Sequence, residues 1–230
     1  MRRILIVGAA SGTGLALAES LVGTHELWTT SHRSEKRLPS HHFTWNAASE
    51  DFPTHELPER LDGLVYCPGS IRLEPFRKLK LEAFREDFEL NLIGAVRALQ
   101  AALPALKAGY KSAVVLFSTV AATTGMPMHA SIASAKAAVE GLTRSLAAEL
   151  APSVRVNAIA PSLTATPLAE KLLRSEKQQE AAASRHPLER IGQPTDSAAA
   201  ARFLLSEDAD WITGRILAVD GGLGSVRRFT

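Results

Sequence analysis

The chain has 230 residues, a formal net charge of +2, 46% hydrophobic and 22% charged residues, and one cysteine. This is the composition of an ordinary globule large enough to bury a substantial core, without the basic run of a nucleic-acid binder or the cysteine pair of an intrachain disulfide. No stretch approaches the roughly 20 apolar residues of a membrane span, and the apolar run after Met1-Arg2-Arg3 stops at Gly8, too short for a signal peptide.

The expectation is therefore a single cytoplasmic domain over residues 1–230, with no nucleic-acid or membrane partner. Ile4–Val7 reads as a buried strand, and Leu15–Val22 reads as a helix. Between them lies a turn with Gly8, Gly12 and Gly14, and with Ser11 and Thr13 inside it. Strand, glycine turn and helix is the order a dinucleotide site needs: a tight turn, a backbone that approaches a pyrophosphate, and a helix N-terminus with free N–H groups. The spacing G-x-x-x-G-x-G matches the general fingerprint only in part. Glu26–Ser31 is a second strand, and no acid occupies the Thr30–Arg33 tip where one would hold a ribose 2′-hydroxyl. Arg33, with His32 beside it, reads either as a solvated loop arginine or as the group that accommodates a 2′-phosphate, which favours NADP(H) over NAD(H).

Further along, Phe43-Thr44-Trp45 is a short third strand, and Asn46 at its end is placed to contact an adenine. A fourth strand, Asp62–Cys67, runs into Pro68-Gly69-Ser70, with Gly69 where a cofactor would lie. Cys67 has no basic neighbour in sequence and reads as a small buried residue. Residues Phe76 to Ala108 carry helix spacing, and Asn91 within them is either a satisfied buried amide or a site group. Ser112–Phe117 is a fifth strand of the continuous apolar kind found in sheets covered on both faces. Ser118 and Thr119 stand at its C-terminal end, where open α/β sheets bind ligands. A long helix over Ala133–Leu150, a sixth strand over Val154–Ala160, and Pro161-Ser162 follow. Leu168–Glu189 reads as one charged helical segment, a lid or a plain surface helix. A capped helix to Leu205 and a last strand, Ile216–Val219, complete the chain. Seven strands alternating with helices predict an α/β fold of the Rossmann type, a doubly wound parallel sheet with helices on both faces.

These motifs, in this order, resemble the short-chain dehydrogenase/reductase family in its compact form, over nearly the whole chain. The glycine turn from Gly8 to Gly14, Cys67-Pro68-Gly69, Asn91, Ser118-Thr119, Asn157–Thr166 and Val219-Asp220-Gly221-Gly222 each stand where that family has a signature. The resemblance implies hydride transfer between NAD(P) and a carbonyl or alcohol, with no metal. It also implies Pro161, Thr164 and Thr166 around the nicotinamide, Lys136 on its ribose, Asn91 and Ser118 or Thr119 in catalysis, and assembly into homodimers or homotetramers.

The chain departs from the pattern at one place. The family's Tyr-x-x-x-Lys pair sits on one helix face, where the lysine lowers the pKa of the tyrosine that protonates the substrate oxygen. Here Lys136 is present and the residue four before it is Ile132. Thirteen residues before Ile132 the serine position falls on Thr119, which still donates a hydrogen bond. Of the chain's two tyrosines, Tyr110 lies at the wrong end of the sheet and Tyr66 lies on the fourth strand with its side chain facing either way. His129, three before Ile132, is a candidate substitute acid but reads more readily as a loop residue facing water or the substrate pocket. Two functions are expected from this sequence: an NAD(P)-dependent oxidoreductase with an atypical site, or a nucleotide-binding protein without turnover.

Overall fold

The strands are β1 (Arg2–Val7), β2 (His25–Ser31), β3 (His41–Thr44), β4 (Gly63–Tyr66), β5 (Ser112–Phe117), β6 (Val154–Pro161) and β7 (Ile216–Val219). They come from a computed structural model that describes residues 1–32 and 38–227. One sheet contains all seven in the order β3-β2-β1-β4-β5-β6-β7, and every pairing is parallel. The order reverses between β1 and β4, and in such sheets the crevice at the carboxyl ends of the reversal point is where ligands bind.

Strand side chains alternate between two faces, so each strand feeds two cores. Ile4, Ile6, Val65, Val115 and Ile159 pack under α1 (Gly12–Leu21) and α7 (Pro194–Leu205). Leu5, Val7, Leu64, Tyr66, Val114, Leu116 and Val156 pack on the other face under α3 (Gly94–Lys107) and α5 (Ala130–Leu150). The remaining helices are α2 (Leu81–Phe88), the short α4 (Ala121–Thr124) and α6 (Glu176–Ala183). No helix among the described residues is long and apolar enough to cross a membrane.

Several boundaries differ from the sequence reading. The third strand covers His41–Thr44, and Trp45 leaves the ladder after donating its N–H to Ser31 O. The helical pattern begins at Leu81, because Phe76–Lys78 is a separate 3-10 turn. Between α2 and α3, residues Glu89–Ile93 form a π-turn in which the Gly94 N–H reaches back five residues to Glu89 O. That frees Leu90 O, which accepts the Tyr66 hydroxyl at 2.5 Å. Gly94 makes the approach possible, since a methyl group there would collide with Tyr66 Oη. Leu168–Glu189 is not one helix: a 3-10 stretch over Pro167–Leu172 ends before α6. Ser175 starts α6 afresh with a reciprocal cap, accepting from Gln178 N at 3.3 Å while Gln178 Oε1 accepts from Ser175 N at 3.2 Å.

At the sheet's amino end, the buried carboxylate of Asp62 ties three segments together. It accepts from Arg3 N at 2.9 Å, Tyr110 N at 2.8 Å and Arg60 Nε at 3.0 Å. Desolvation pushes this carboxyl up, but the Arg60 guanidinium and the two backbone amides outweigh it and hold the group below the usual carboxylate range. A depressed carboxyl stabilises the fold above its unfolded pKa, about 3.9, and that contribution is lost as pH falls through the lower folded value. Asp62→Asn is expected to cost roughly 1–3 kcal/mol at pH 7 by leaving a buried donor unpaired. Thermal unfolding at pH 7 and pH 3 checks this: the gap between wild type and variant should narrow at the acid end.

Candidate active site

The carboxyl ends of the strands carry the predicted site residues. Gly8 and Gly12 have positive φ angles of 84° and 55°, which only glycine adopts without strain. A methyl group on Gly14 would collide with Gly8 O, so this position must be bare for α1 to meet the end of β1. Ser11 precedes α1 in extended conformation without a side-chain cap, and no acid lies in the first turn. The amides there, including Thr13, retain the donors and positive dipole end that suit a phosphate. Thr166, after β6, lies across the turn: a methyl on Gly12 would stand 3.2 Å from Thr166 Cγ2. The glycine turn and the expected nicotinamide segment are thus neighbours.

At the centre of the crevice Lys136, on α5, is only 6% exposed. Its Nζ donates to Phe117 O at 2.8 Å, the sole partner of this nitrogen among the described residues. Desolvation lowers its pKa to about 8, although the Cys67 thiol and the Asp87 carboxyl work in the other direction. Asn91, in the π-turn, is 1% exposed. Its Nδ2 donates to Ser70 Oγ at 3.0 Å and to Asp87 O at 2.8 Å, and its Oδ1 has no partner. Ser70 Oγ in turn donates to Asp87 Oδ1 at 2.6 Å, and Ser131 Oγ donates to Asp87 Oδ2 at 2.5 Å. This network fixes which way the amide faces. A methyl on Gly69 would stand 3.3 Å from Asn91 Oδ1 and 3.5 Å from Lys136 Nζ, so both line one gap beside Gly69.

Other expected residues fall elsewhere. Ser118 does not reach the crevice: it is buried and donates to Glu140 Oε1 at 2.7 Å, inside the contact between β5 and α5. Thr119 is partly exposed, with Oγ1 accepting from Ala121 N at 3.3 Å and lying 3.5 Å from Pro161 O. His129 caps the start of α5, with Nδ1 2.8 Å from Pro127 O, which places the ring proton on that nitrogen. Thr164 Oγ1 is held by Ser162 O at 3.0 Å. Asn46 is exposed beyond β3 and its Oδ1 accepts from Ala48 N at 3.1 Å. Arg33 lies outside the described residues. Tyr66 is committed to Leu90 O, and burial pushes its phenol well above the usual range. Burial likewise pushes the Cys67 thiol up to about 12, so it is no nucleophile near neutral pH. Ile132 is 5% exposed on α5, with Ser131 turned away towards Asp87.

Comparison with known proteins shows the family and the fold. Residues 45–224 match the family described as Enoyl-(Acyl carrier protein) reductase. The chain is 36% identical over 165 residues, 71% of its length, to the 3-oxoacyl-[acyl-carrier-protein] reductase of Thermotoga maritima, and the match spans 66% of that protein. The ligand-free aldohexose dehydrogenase of Thermoplasma acidophilum is similar in structure at a TM-score of 0.90, covering 100% of this chain and 96% of that one at 27% identity. ElxO, solved with NADP bound, gives a TM-score of 0.84 and 27% identity, covering 98% of this chain and 99% of that one.

One polar pair went unread in the sequence. Ser162 Oγ lies 2.8 Å from Nε2 of the buried His186, whose Nδ1 lies 2.8 Å from Ala182 O. The carbonyl takes the Nδ1 proton, so Ser162 donates to Nε2, tying the end of β6 to the segment after α6. The pair borders a cavity of about 470 Å³ lined also by Arg190, Thr195, Asp220 and Gly222. Ser162→Gly leaves the buried nitrogen unpaired at a cost of roughly 1–3 kcal/mol. The expected fall in Tm, at about 2–4 °C per kcal/mol for a chain of this size, is measurable by thermal unfolding.

Proposed function

The chain belongs to the short-chain dehydrogenase/reductase family, and we propose that it is a cytoplasmic NADP(H)-dependent oxidoreductase acting on a small carbonyl or alcohol substrate. The carrying observation is the convergence of Lys136 Nζ and the unpartnered Asn91 Oδ1 beside Gly69, next to an uncapped helix N-terminus. An orphaned buried acceptor costs roughly 1–3 kcal/mol, and a bound hydroxyl or water offsets that cost. The residues present fit a nicotinamide dinucleotide.

In this reading the amides of Gly12, Thr13 and Gly14 hold the pyrophosphate, Arg33 takes the 2′-phosphate and Asn46 meets the adenine. Pro161, Thr164 and Thr166 border the nicotinamide, and Lys136 holds its ribose. The reduced cofactor supplies the hydride. Thr119 donates a hydrogen bond to the substrate oxygen, taking the part the family gives to serine. The site is atypical, because Ile132 stands where the family's acid does and has no proton to give. A missing general acid costs about 10²–10⁴-fold, which restricts turnover to reactive carbonyls. The protein works as a homodimer or homotetramer over one domain; the exposed Leu217 on the edge strand β7 and the fully exposed Trp211 support a self-association surface.

The buried, apolar Ile132 also favours a second reading, a sensor or partner subunit that binds the nucleotide without turnover. Fluorescence titration with NADPH and NADH, followed by nicotinamide oxidation with ketones, aldehydes and quinones, separates the two. Tighter binding of NADPH with turnover of the reactive carbonyls is expected; binding without any turnover selects the second reading, and no binding removes both. Ile132→Tyr is expected to raise carbonyl reduction by up to about 10²–10⁴-fold, read as the initial rate of NADPH oxidation.

A further inference from the structure

We propose that Ser162 and His186 form a second catalytic centre, a nucleophile and its base, which hydrolyses small uncharged carboxylic esters in the cavity at the carboxyl end of β6. This activity goes beyond the oxidoreductase reading and needs no nucleotide.

An activated serine is recognised by geometry: a hydroxyl within hydrogen-bond reach of an imidazole nitrogen, and a third group that fixes the imidazole from behind. Ser162 Oγ lies 2.8 Å from His186 Nε2, and His186 Nδ1 lies 2.8 Å from Ala182 O. A carbonyl only accepts, so Nδ1 carries the ring proton and Nε2 presents its lone pair to the serine hydrogen. That is the tautomer a general base needs. His186 is 4% exposed, whereas Ser162 is only partly buried. The base therefore lies behind the nucleophile, and the nucleophile borders open space.

That space is the cavity of about 470 Å³, a volume that encloses a small ligand. Leu163, Leu188, Ala218 and Val219 make much of its wall apolar. Arg190 on the same wall is taken up by Asp196 at 2.6 and 2.9 Å, which leaves an uncharged substrate as the fitting one. The N–H groups of two lining residues, Leu163 and Gly221, have no acceptor among the described residues. Leu163 directly follows the nucleophile, and a methyl on Gly221 would stand 3.5 Å from His186 Cδ2. Spare donors of this kind stabilise a carbonyl oxygen as charge develops on it.

The step balances with water as the second reactant. Ser162 Oγ bonds to the ester carbonyl carbon, its proton passes to Nε2, and the π pair moves onto oxygen. Collapse restores the carbonyl and breaks the bond to the leaving oxygen, which takes the proton from Nε2. Water then gives a proton to Nε2 and attacks the acyl carbon; the second collapse releases the carboxylic acid and returns the proton to Oγ. No carboxylate backs the imidazole, because both oxygens of Asp220 accept main-chain N–H groups, from Gly222 at 2.9 Å and Gly224 at 2.8 Å. The imidazolium is held by Ala182 O alone, which restricts the centre to esters with good leaving groups.

The test uses the full chain without nucleotide. Hydrolysis of p-nitrophenyl acetate should saturate with substrate. Ser162→Ala and His186→Gln should each lose about 10²–10⁴-fold in kcat/KM, and the double variant no more than the larger single loss, because the two groups act as a unit. Diisopropyl fluorophosphate should attach to Ser162 of the wild type, read by peptide mass, which needs no variant to fold. An adduct elsewhere or none, hydrolysis that does not saturate, or either single variant within about twofold of wild type overturns the proposal. NADPH oxidation is not read in this test, so either result leaves the oxidoreductase reading as it stands.

Discussion

Helix α1 can lie against the end of β1 only because residue 14 has no side chain, and the crevice depends on that approach. With Gly14 bare, the helix axis points its N-terminus at the reversal of strand order between β1 and β4. Gly8 and Gly12 turn the chain through positive φ to reach it, and Thr166 from the far side of the sheet closes over Gly12. Two segments more than 150 residues apart in sequence are thereby brought to the same few ångströms.

The neighbouring half of the crevice is built on the opposite principle, with polar groups buried and then matched. Asp87 receives hydroxyls on both oxygens, Glu140 receives Ser118, and Asn91 donates twice. Each match offsets the cost of taking the group out of water, typically several kcal/mol for a charge. Two functions remain incompletely matched, Asn91 Oδ1 and the hydrogens of Lys136, and they occur together.

The strands were legible in the sequence because parallel strands buried on both faces are continuous apolar runs, and β5 begins and ends where Ser112–Phe117 predicted. The glycine turn was legible because backbone sterics leave few alternatives to glycine at positive φ. What the sequence did not reveal depends on partners far along the chain. Ser118 and Thr119 are adjacent, and only the position of Glu140 on α5 assigns one to packing and leaves the other by Pro161. The role of Tyr66 hangs on Gly94, and that of Ser162 on His186, pairs that no local spacing encodes. The division of Leu168–Glu189 was written locally, in Ser175 and Gln178, but helical composition on both sides obscured it.

The π-turn between α2 and α3 has a consequence for how this chain tolerates change. Successive helix residues advance by about 100°, so the extra residue in Glu89–Ile93 sets the two helices out of phase by about that angle. Upstream, Asp87 faces α5; downstream, Ala95, Ala98 and Leu99 face the sheet. One rod therefore serves two different partners, and the phase step between them is a single residue long. A deletion inside the turn would leave a straighter helix, with every amide paired to the carbonyl four residues back. Yet it would swing Asp87 and Asn91 away from α5, or the alanines off the sheet. Local regularity and correct assembly pull in opposite directions here, and the Tyr66 hydroxyl on Leu90 O is the contact that settles the matter in favour of assembly.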